Sequence, residues 1–312
     1  MAECVELMSD ALASLARGEV FQPLRTIVRP PEARGLLGLM PAYRHGEHGA
    51  FGMKAICVFP GNPALGKDAH QGLVMLFSQE TGEPLALMNA SQITAIRTAA
   101  VSAVATRLLA RAEAAELGII GAGVQARTHL VALALVRTIR RARVACRNKE
   151  HALELVREMQ EKVPFPIEAV SSNEAAVRDA GIIVTATSAH EPVITRDWIA
   201  GGAHINAIGT HSPQSREIDT ATMAAARIFV DRRESALNEA GDYLLAARDG
   251  AVTPESIVAE IGELVIETKQ GRTSPSEITL FKSLGLAIED VVCAEYLYRK
   301  ATEENAGTWV DF

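Results

Sequence analysis

A short apolar run that breaks into a glycine-rich turn constrains this chain more than any other feature. Residues 117–120 are Leu-Gly-Ile-Ile and read as a buried strand. The turn after it spells G-x-G-x-x-A, with Gly121, Gly123, Val124, Gln125 and Ala126 as its key positions. The glycines permit a tight turn and close approach of a pyrophosphate, and Ala126 lets the following helix pack on the sheet. The pattern predicts a dinucleotide site, with a turn that holds no ligand as the alternative.

The second strand of this unit, residues 142–148, bears on which dinucleotide binds. It ends in Cys146-Arg147-Asn148, and the first carboxylate after it is Glu150. Sites for NAD place an acidic residue here, whereas Arg147 can pair with a 2′-phosphate through its planar guanidinium. Arg147 and Asn148 are therefore candidate ribose contacts, and NADP(H) is preferred with NAD(H) possible. Alternatively, Arg147 belongs to a basic surface with Arg137, Arg140, Arg141 and Arg143.

Composition limits the class of protein. A chain of 312 residues with 48% hydrophobic residues is long enough for two domains. Its net charge of -7 argues against a nucleic-acid or membrane-surface partner, and its four scattered cysteines and eight histidines show no metal-ligand spacing. Acidic residues near the start argue against a signal peptide, and no segment has the apolar length of a membrane span. We expect a cytoplasmic protein without a metal.

The order of the elements predicts an α/β fold. Residues 1–90 read as a helix followed by strands, including a hairpin with its turn at Gly82. A long helix follows to about Arg111, with Asn89 or Ser91 as possible caps. From Leu117 onwards, apolar strands at 181–187, 204–209 and 227–231 alternate with helices, which is typical of a doubly wound parallel sheet of the Rossmann type.

Several blocks of this sequence together resemble the ornithine cyclodeaminase/mu-crystallin family. The strongest are residues 97–103, 121–126 and 278–290, with support from 22–25, 39–43 and 239–242. The resemblance spans nearly the whole chain. It implies a homodimer in which a second α/β domain, built from both chain ends, carries the substrate contacts and the dimer interface. We place that domain at residues 1–112 with the C-terminal helix 288–312, and the NAD(P)-binding Rossmann domain at 113–287.

Three cations fall at positions that the family uses for substrate. Arg97 lies on a helix of small apolar residues, and Lys54 lies inside an apolar strand, where a charge is costly without a partner. Lys54 could hold a carboxylate or, with a pKa lowered by burial, relay a proton. A structural ion pair is the alternative for Arg97, and a solvated loop position is the alternative for Arg25. The resemblance also places Leu284 beside the substrate.

The remaining cofactor contacts are expected at the carboxyl ends of the parallel strands, where doubly wound folds bind ligands. The candidates are Thr185, Ala186, Thr187, Ser188, Ile208, Gly209, Thr210 and Ser283.

The sharpest departure from the ornithine cyclodeaminases concerns two carboxylates. His211 stands where those enzymes carry an Asp that acts in deamination, and Gly38 falls where they have a Glu near the substrate amine. Both groups expected to receive the δ-ammonium of ornithine are thus missing. His211 titrates near neutrality and could donate a proton in a reductase, with a loop position without chemistry as the alternative.

These residues favour an NAD(P)H-dependent reductase of a small imino acid, a ketimine such as 1-pyrroline-2-carboxylate. One alternative is an alanine dehydrogenase-like enzyme that reductively aminates a 2-oxo acid, and another is ornithine cyclodeaminase itself. A non-catalytic NADP-bound binding protein is the third alternative, although it would have no need of both Lys54 and Arg97.

Overall fold

The protein divides into two compact units in a computed structural model that describes residues 1–310. The antiparallel-sheet unit contains residues 13–97 and the described residues from 286 onwards, and the parallel-sheet unit contains residues 1–12 and 98–285. These boundaries fall at 12/13, 97/98 and 285/286, whereas the sequence analysis places two boundaries, at 112/113 and 287/288.

The antiparallel sheet has the order β1-β3-β4-β5-β6, and β2 pairs with β3 on the same edge as β1. Its strands are β1 Val20–Phe21, β2 Thr26–Val28, β3 Leu36–Arg44, β4 Ala50–Val58, β5 His70–Ser78 and β6 Pro84–Asn89. Helix α1 (Ala2–Ala16) precedes it and helix α2 (Ala90–Leu109) follows it. Asn89 caps α2, because its side-chain oxygen accepts hydrogen bonds from the backbone N–H of Ser91 at 2.9 Å and of Gln92 at 3.2 Å.

The second sheet has eight parallel strands in the order β13-β12-β14-β11-β10-β7-β8-β9. They are β7 Glu116–Ile120, β8 Arg141–Ala145, β9 Ile167–Ala169, β10 Ile182–Thr185, β11 His204–Ala207, β12 Ala226–Val230, β13 Ile257–Glu260 and β14 Ile278–Lys282. The chain winds outwards from β7 in both directions, so the crevice at the β7/β10 switch point is where such folds bind ligands. The predicted doubly wound α/β fold is confirmed.

Eight further α-helices lie within residues 1–310. They are α3 Val124–Ala134, α4 Lys149–Met159, α5 Asn173–Val177, α6 Thr220–Ala225, α7 Arg233–Glu239, α8 Gly241–Arg248, α9 Ile261–Val265 and α10 Ala287–Glu304. Helix α10 packs on β3, β4 and β5 of the antiparallel sheet. Within residues 1–310, no helix combines the length and the apolar character needed to cross a membrane.

Candidate active site

The glycine-rich turn between β7 and α3 has the geometry that a pyrophosphate needs. Gly121 has φ +114°, and a Cβ there would lie 2.3 Å from the carbonyl oxygen of Ala186. Any other residue would therefore be strained and would clash. Gly123 caps α3 without a side-chain bond, and a Cβ on it would meet nothing within 4 Å. The start of α3 thus has open space beside Gly123 and next to exposed Val124, while Ala126 is fully buried.

The predicted ribose contacts lie in the turn after β8. The Asn148 side-chain oxygen caps α4 by accepting from the backbone N–H of Glu150 at 3.0 Å. Arg147 is exposed, and its guanidinium makes no hydrogen bond or ion pair with any other part of residues 1–310. The other arginines of the basic surface are all engaged, two with Glu116 and two with backbone carbonyls: Arg140, Arg141, Arg137 and Arg143. Arg147 alone among the five remains available to an anion.

A buried carboxylate joins the loops that follow β10 and β11. The Glu217 side chain is fully buried and accepts four hydrogen bonds. Its Oε1 accepts from the backbone N–H and the hydroxyl of Thr187, each at 2.7 Å. Its Oε2 accepts from the Thr185 hydroxyl at 2.9 Å and from the Gly209 N–H at 2.7 Å. A Cβ on Gly209 would lie 2.3 Å from the carbonyl oxygen of Thr187, so the two loops touch through their backbones.

Asp242, at the start of α8, binds the backbone of Glu217. Its Oδ1 accepts from the backbone N–H of Glu217 at 2.7 Å and of Ile218 at 2.9 Å. Its Oδ2 accepts from the Thr210 hydroxyl at 2.9 Å and pairs with Lys282 Nζ at 2.8 Å. Lys282 also donates to the Thr210 carbonyl at 2.8 Å. Burial raises the pKa of Glu217; burial also opposes ionisation of Asp242, but Lys282 lowers its pKa overall.

The other expected cofactor contacts lie at the same edge of the parallel sheet. Ala186 and Thr187 are half-buried, Ser188 is exposed, and Ile208 is buried. Ser283 and Leu284 follow β14 and are nearly inaccessible. Asp231 at the end of β12 accepts from the backbone N–H of Leu284 at 2.6 Å and of Gly285 at 2.7 Å. The Leu284 side chain belongs to the apolar core of this unit, and its contact with substrate stays a prediction.

Two of the predicted substrate cations meet in the antiparallel-sheet unit. Lys54 Nζ on β4 lies 2.6 Å from Asp290 Oδ2 on α10. The Arg97 side chain on α2 reaches Asp290 Oδ1 through Nε at 3.2 Å and Glu289 Oε2 through NH1 at 2.6 Å. All four side chains are at least 95% buried. The ion pair considered as an alternative for Arg97 is therefore present, and it joins Arg97 to Lys54 through one carboxylate.

The electrostatics of this cluster differ for its two cations. Burial lowers the pKa of Lys54 to about 8, because Asp290 offsets the loss of solvent only in part and Arg97 and Arg25 repel the ammonium. Burial also opposes the charge of Arg97, but Asp290 and Glu289 together raise its pKa. Lys54 thus titrates near physiological pH, while Arg97 keeps its charge. The influence of Arg25 on Lys54 places a third cation in the neighbourhood.

The structure also describes positions 211 and 38, where the sequence departs from the cyclodeaminases. His211 is exposed in the loop after β11, next to Thr210. Gly38 lies on β3 in register with Ile27 and Ile56, where a Cβ would make only ordinary contacts at 3.6 Å. A side chain is therefore sterically possible at position 38, and the chain has none.

Sequence reasoning missed the buried carboxylates of both units. The blocks that carried the family resemblance contain Glu289, Asp290, Asp242 and Lys282, but none of these was given a role. Glu217 drew no attention. Glu289 and Asp290 could have been found from the sequence, because they stand among apolar residues at the start of a helix. A carboxylate buried in such a stretch needs a cation as its partner. Within the described residues, no group of three or more His, Cys, Asp or Glu side chains could hold a metal ion.

The sheet order and the glycine turn together define a Rossmann-type α/β protein with a second, antiparallel-sheet unit. The model of the ornithine cyclodeaminase/mu-crystallin family matches residues 1–305. The chain belongs to this family, as the resemblance in the sequence indicated.

Named relatives are similar to the chain over almost its full length. The Δ1-pyrroline-2-carboxylate reductase of Bacillus cereus is 37% identical over 313 residues, covering 100% of this chain and 96% of the relative. The ketimine reductase mu-crystallin of Mus musculus is 40% identical over 294 residues, or 93% of this chain and 90% of the relative. The structure of Thermococcus litoralis Δ1-pyrroline-2-carboxylate reductase in complex with NADH and L-proline superposes with a TM-score of 0.97 at 40% identity, covering 99% of this chain and 96% of that one.

Proposed function

We propose that this chain reduces the C=N bond of a small imino acid, a ketimine such as 1-pyrroline-2-carboxylate, to the corresponding amino acid with NAD(P)H. As a member of its family, the chain is an oxidoreductase of the NAD(P)-dependent class that acts on CH–NH or CH–NH2 groups. The observation that carries the proposal is the buried cluster of Lys54 and Arg97 with Asp290. A cation kept buried at a lowered pKa is typical of a functional site.

The cofactor and the substrate would each have their own set of contacts. A bound nicotinamide supplies the hydride that the imine carbon receives. The glycine turn and the loops after β10 and β11 would bind that cofactor, and Ser283 would complete the site. Lys54 and Arg97, with Arg25 nearby, would hold the substrate carboxylate beside the C=N bond. Because Lys54 titrates at about 8, it could alternatively hold the proton that the imine nitrogen takes up.

His211 is the second candidate proton donor. It is exposed and adjoins Thr210 at the carboxyl edge of the parallel sheet. An imidazole there could protonate the imine nitrogen, which makes the carbon a better hydride acceptor. The absence of a carboxylate at positions 38 and 211 argues against cyclodeaminase activity.

We assign a preference for NADP(H) to Arg147. Its guanidinium is exposed after β8 and is not engaged by another part of residues 1–310. It adjoins the first turn of α4, whose amides also favour an anion. A carboxylate that would bind a ribose 2′-hydroxyl is absent from this turn, since Glu150 already lies inside the helix.

We also propose a homodimer formed through the antiparallel sheet. Helix α10 covers one face of this sheet. The register places Phe51, Leu73 and Leu87 on the opposite face, where they are 48%, 47% and 57% exposed. An apolar sheet face of this kind is costly in water and suits a second copy of the chain. Light scattering should give twice the monomer mass, and a Phe51→Glu variant should shift it towards the monomer.

A substrate panel tests the proposed function. The chain should oxidise NADPH with 1-pyrroline-2-carboxylate or 1-piperideine-2-carboxylate, and much more slowly with pyruvate plus ammonia. Incubation with ornithine and NAD should release little ammonia. Faster turnover of pyruvate with ammonia would instead indicate an amino-acid dehydrogenase. Tight NADPH binding without turnover of any substrate would indicate a binding protein.

A further inference from the structure

Glu217 is a buried carboxyl group at the carboxyl edge of the parallel sheet. Four donors converge on it: two from Thr187, one from Thr185 and one from Gly209. Two of the four are backbone N–H groups, which can only donate. Each carboxyl oxygen receives one of these N–H groups, and the bonds are strongest when the carboxyl group is ionised. They oppose the effect of burial, which disfavours the charge, and an ionised Glu217 is a negative charge without access to solvent.

The loops that Glu217 joins are the ones expected to flank a nicotinamide. Gly121 after β7 touches Ala186 after β10, and Gly209 after β11 touches Thr187. One carboxylate oxygen binds the β10 loop alone, and the other bridges the end of β10 and Gly209. The backbone N–H of Ile208 also donates to the Thr185 carbonyl at 3.0 Å, and Glu217 adds a side-chain connection beyond the ends of the two strands.

The surrounding charges do not cancel that of Glu217. Asp242 and Lys282 form a buried ion pair at 2.8 Å and neutralise each other. Asp242 also fixes the backbone of Glu217 through the N–H groups of Glu217 and Ile218. The three-residue network therefore carries a net charge of minus one. Inside a protein such a charge acts over several ångströms with little screening.

We propose that Glu217 is a positioning residue for the nicotinamide, and that its charge stabilises the oxidised, cationic form of the cofactor relative to the reduced form. This inference rests on the proposed function, because it needs a nicotinamide at these loops. A protein that favours the oxidised cofactor makes hydride donation more favourable. Glu217 would thereby act on the reaction without touching the substrate.

The test measures binding of the cofactor without substrate. Glu217→Gln keeps the size of the side chain but removes the charge and turns two acceptor sites into an NH2 that faces donors. The dissociation constants of NADPH and NADP+ should both rise, and the ratio of the NADP+ value to the NADPH value should increase by on the order of fivefold, equivalent to about 1 kcal/mol. Thermal unfolding shows whether the variant is folded at the assay temperature.

A matched control separates this role from a general loss of stability. Glu260 ends β13, on the outer side of the same sheet edge, and accepts from the backbone N–H of Arg233 at 2.8 Å. Glu260→Gln should lower the unfolding temperature while leaving both dissociation constants unchanged. Wild-type affinities and an unchanged ratio in Glu217→Gln would overturn the proposal. An equal rise in the dissociation constants of NADPH and NADP+ would also overturn it. That result would show that Glu217 holds the loops in place but that its charge does not distinguish the two forms of the cofactor.

A second variant keeps the proposal testable if Glu217→Gln does not fold. Thr185→Val is nearly isosteric and removes one donor while the charge of Glu217 remains. It should weaken NADPH and NADP+ by the same factor of roughly three to ten, the value of one hydrogen bond. Wild-type affinity in Thr185→Val would refute the bracing role. If the wild-type chain binds neither cofactor, the failure belongs to the proposed function and not to Glu217.

Discussion

Replacing Lys54 by Met separates the functional interpretation of the buried cluster from the structural one. Met fills a similar volume and removes the ammonium that pairs with Asp290. After the change, Asp290 still has the Arg97 guanidinium at 3.2 Å. No isolated charge is left in the core, which is the usual reason why a broken buried pair is destabilising.

The stability effect can be worked from the pKa of Lys54. Lowering the pKa from 10.5 to about 8 corresponds to a cost of roughly 3 kcal/mol for holding the ammonium in the folded state. This cost is a net value that already includes the attraction to Asp290, and the substitution removes it while the Arg97 guanidinium remains as the partner of Asp290. We therefore expect the unfolding free energy at pH 7 to change by less than about 2 kcal/mol, against about 3–5 kcal/mol for a pair that exists for stability.

The catalytic effect should be far larger than the structural one. A charge-assisted contact with the substrate carboxylate contributes about 1.5–3 kcal/mol, so kcat/KM should fall on the order of 10- to 100-fold. Steady-state reduction of 1-pyrroline-2-carboxylate and urea denaturation measure the two effects on the same preparation. Lys269→Met, at an exposed position, is the control and should change neither. A Lys54→Met enzyme that is strongly destabilised but keeps its kcat/KM would refute the reasoning.

The same lysine gives a pH dependence with a defined sign. Between pH about 8 and 10.5, the unfolded chain holds a proton on Lys54 that the folded chain has released. The unfolded state thus binds more protons, and Lys54 makes the wild type gain stability as the pH rises through this window. Lys54→Met should lack that gain. Identical pH dependence of the two proteins between pH 8 and 10.5 would contradict the assignment.

Three further predictions address other residues. Arg147→Asp should reverse a preference for NADPH over NADH of roughly tenfold, as measured by titration of each cofactor, and equal wild-type affinities would contradict the assignment. His211→Asn should remove most of the turnover rate. It should also remove the fall of kcat/KM with rising pH, once the titration of the substrate imine is subtracted. An unchanged pH profile of kcat/KM would exclude His211 as the proton donor. Burial lowers the pKa of His129 to about 4 and that of His204 to about 3. Acidification from pH 6.5 to 5 should therefore reduce the unfolding free energy, because only the unfolded state takes up protons on these histidines in that range. A flat dependence in the wild type, or an undiminished slope in His129→Gln, would contradict this.

Local signals predicted much of the fold. Asn89 is an N-cap as expected, and the glycine-rich turn stands between a strand and a helix. Apolar runs and glycine turns are patterns of a few neighbouring residues, so they can be recognised without knowledge of the tertiary structure. Strand β13 (Ile257–Glu260) escaped prediction, since its apolar run ends after three residues, at Ala259.

The candidate site was predicted only where a charge stood out against its neighbours. Lys54 and Arg97 were noticed because each lies in an apolar element, and both are buried as that argument requires. Their shared partner Asp290 lies 193 residues from Arg97 and still farther from Lys54 in sequence, and no local pattern links these segments. Glu217 was missed for the same reason: its four donors come from two loops that only the sheet order brings together.

Transfer of isotope from the cofactor tests the central claim most directly. The chain would be incubated with 1-pyrroline-2-carboxylate and NADPH deuterated at the nicotinamide C4, in each stereoisomer separately. The account predicts that one stereoisomer places a single deuterium at C2 of the proline formed, as seen by mass spectrometry and NMR, and that ornithine with NAD yields almost no ammonia. Proline without deuterium from either stereoisomer, or steady formation of proline and ammonia from ornithine without added reductant, would contradict it.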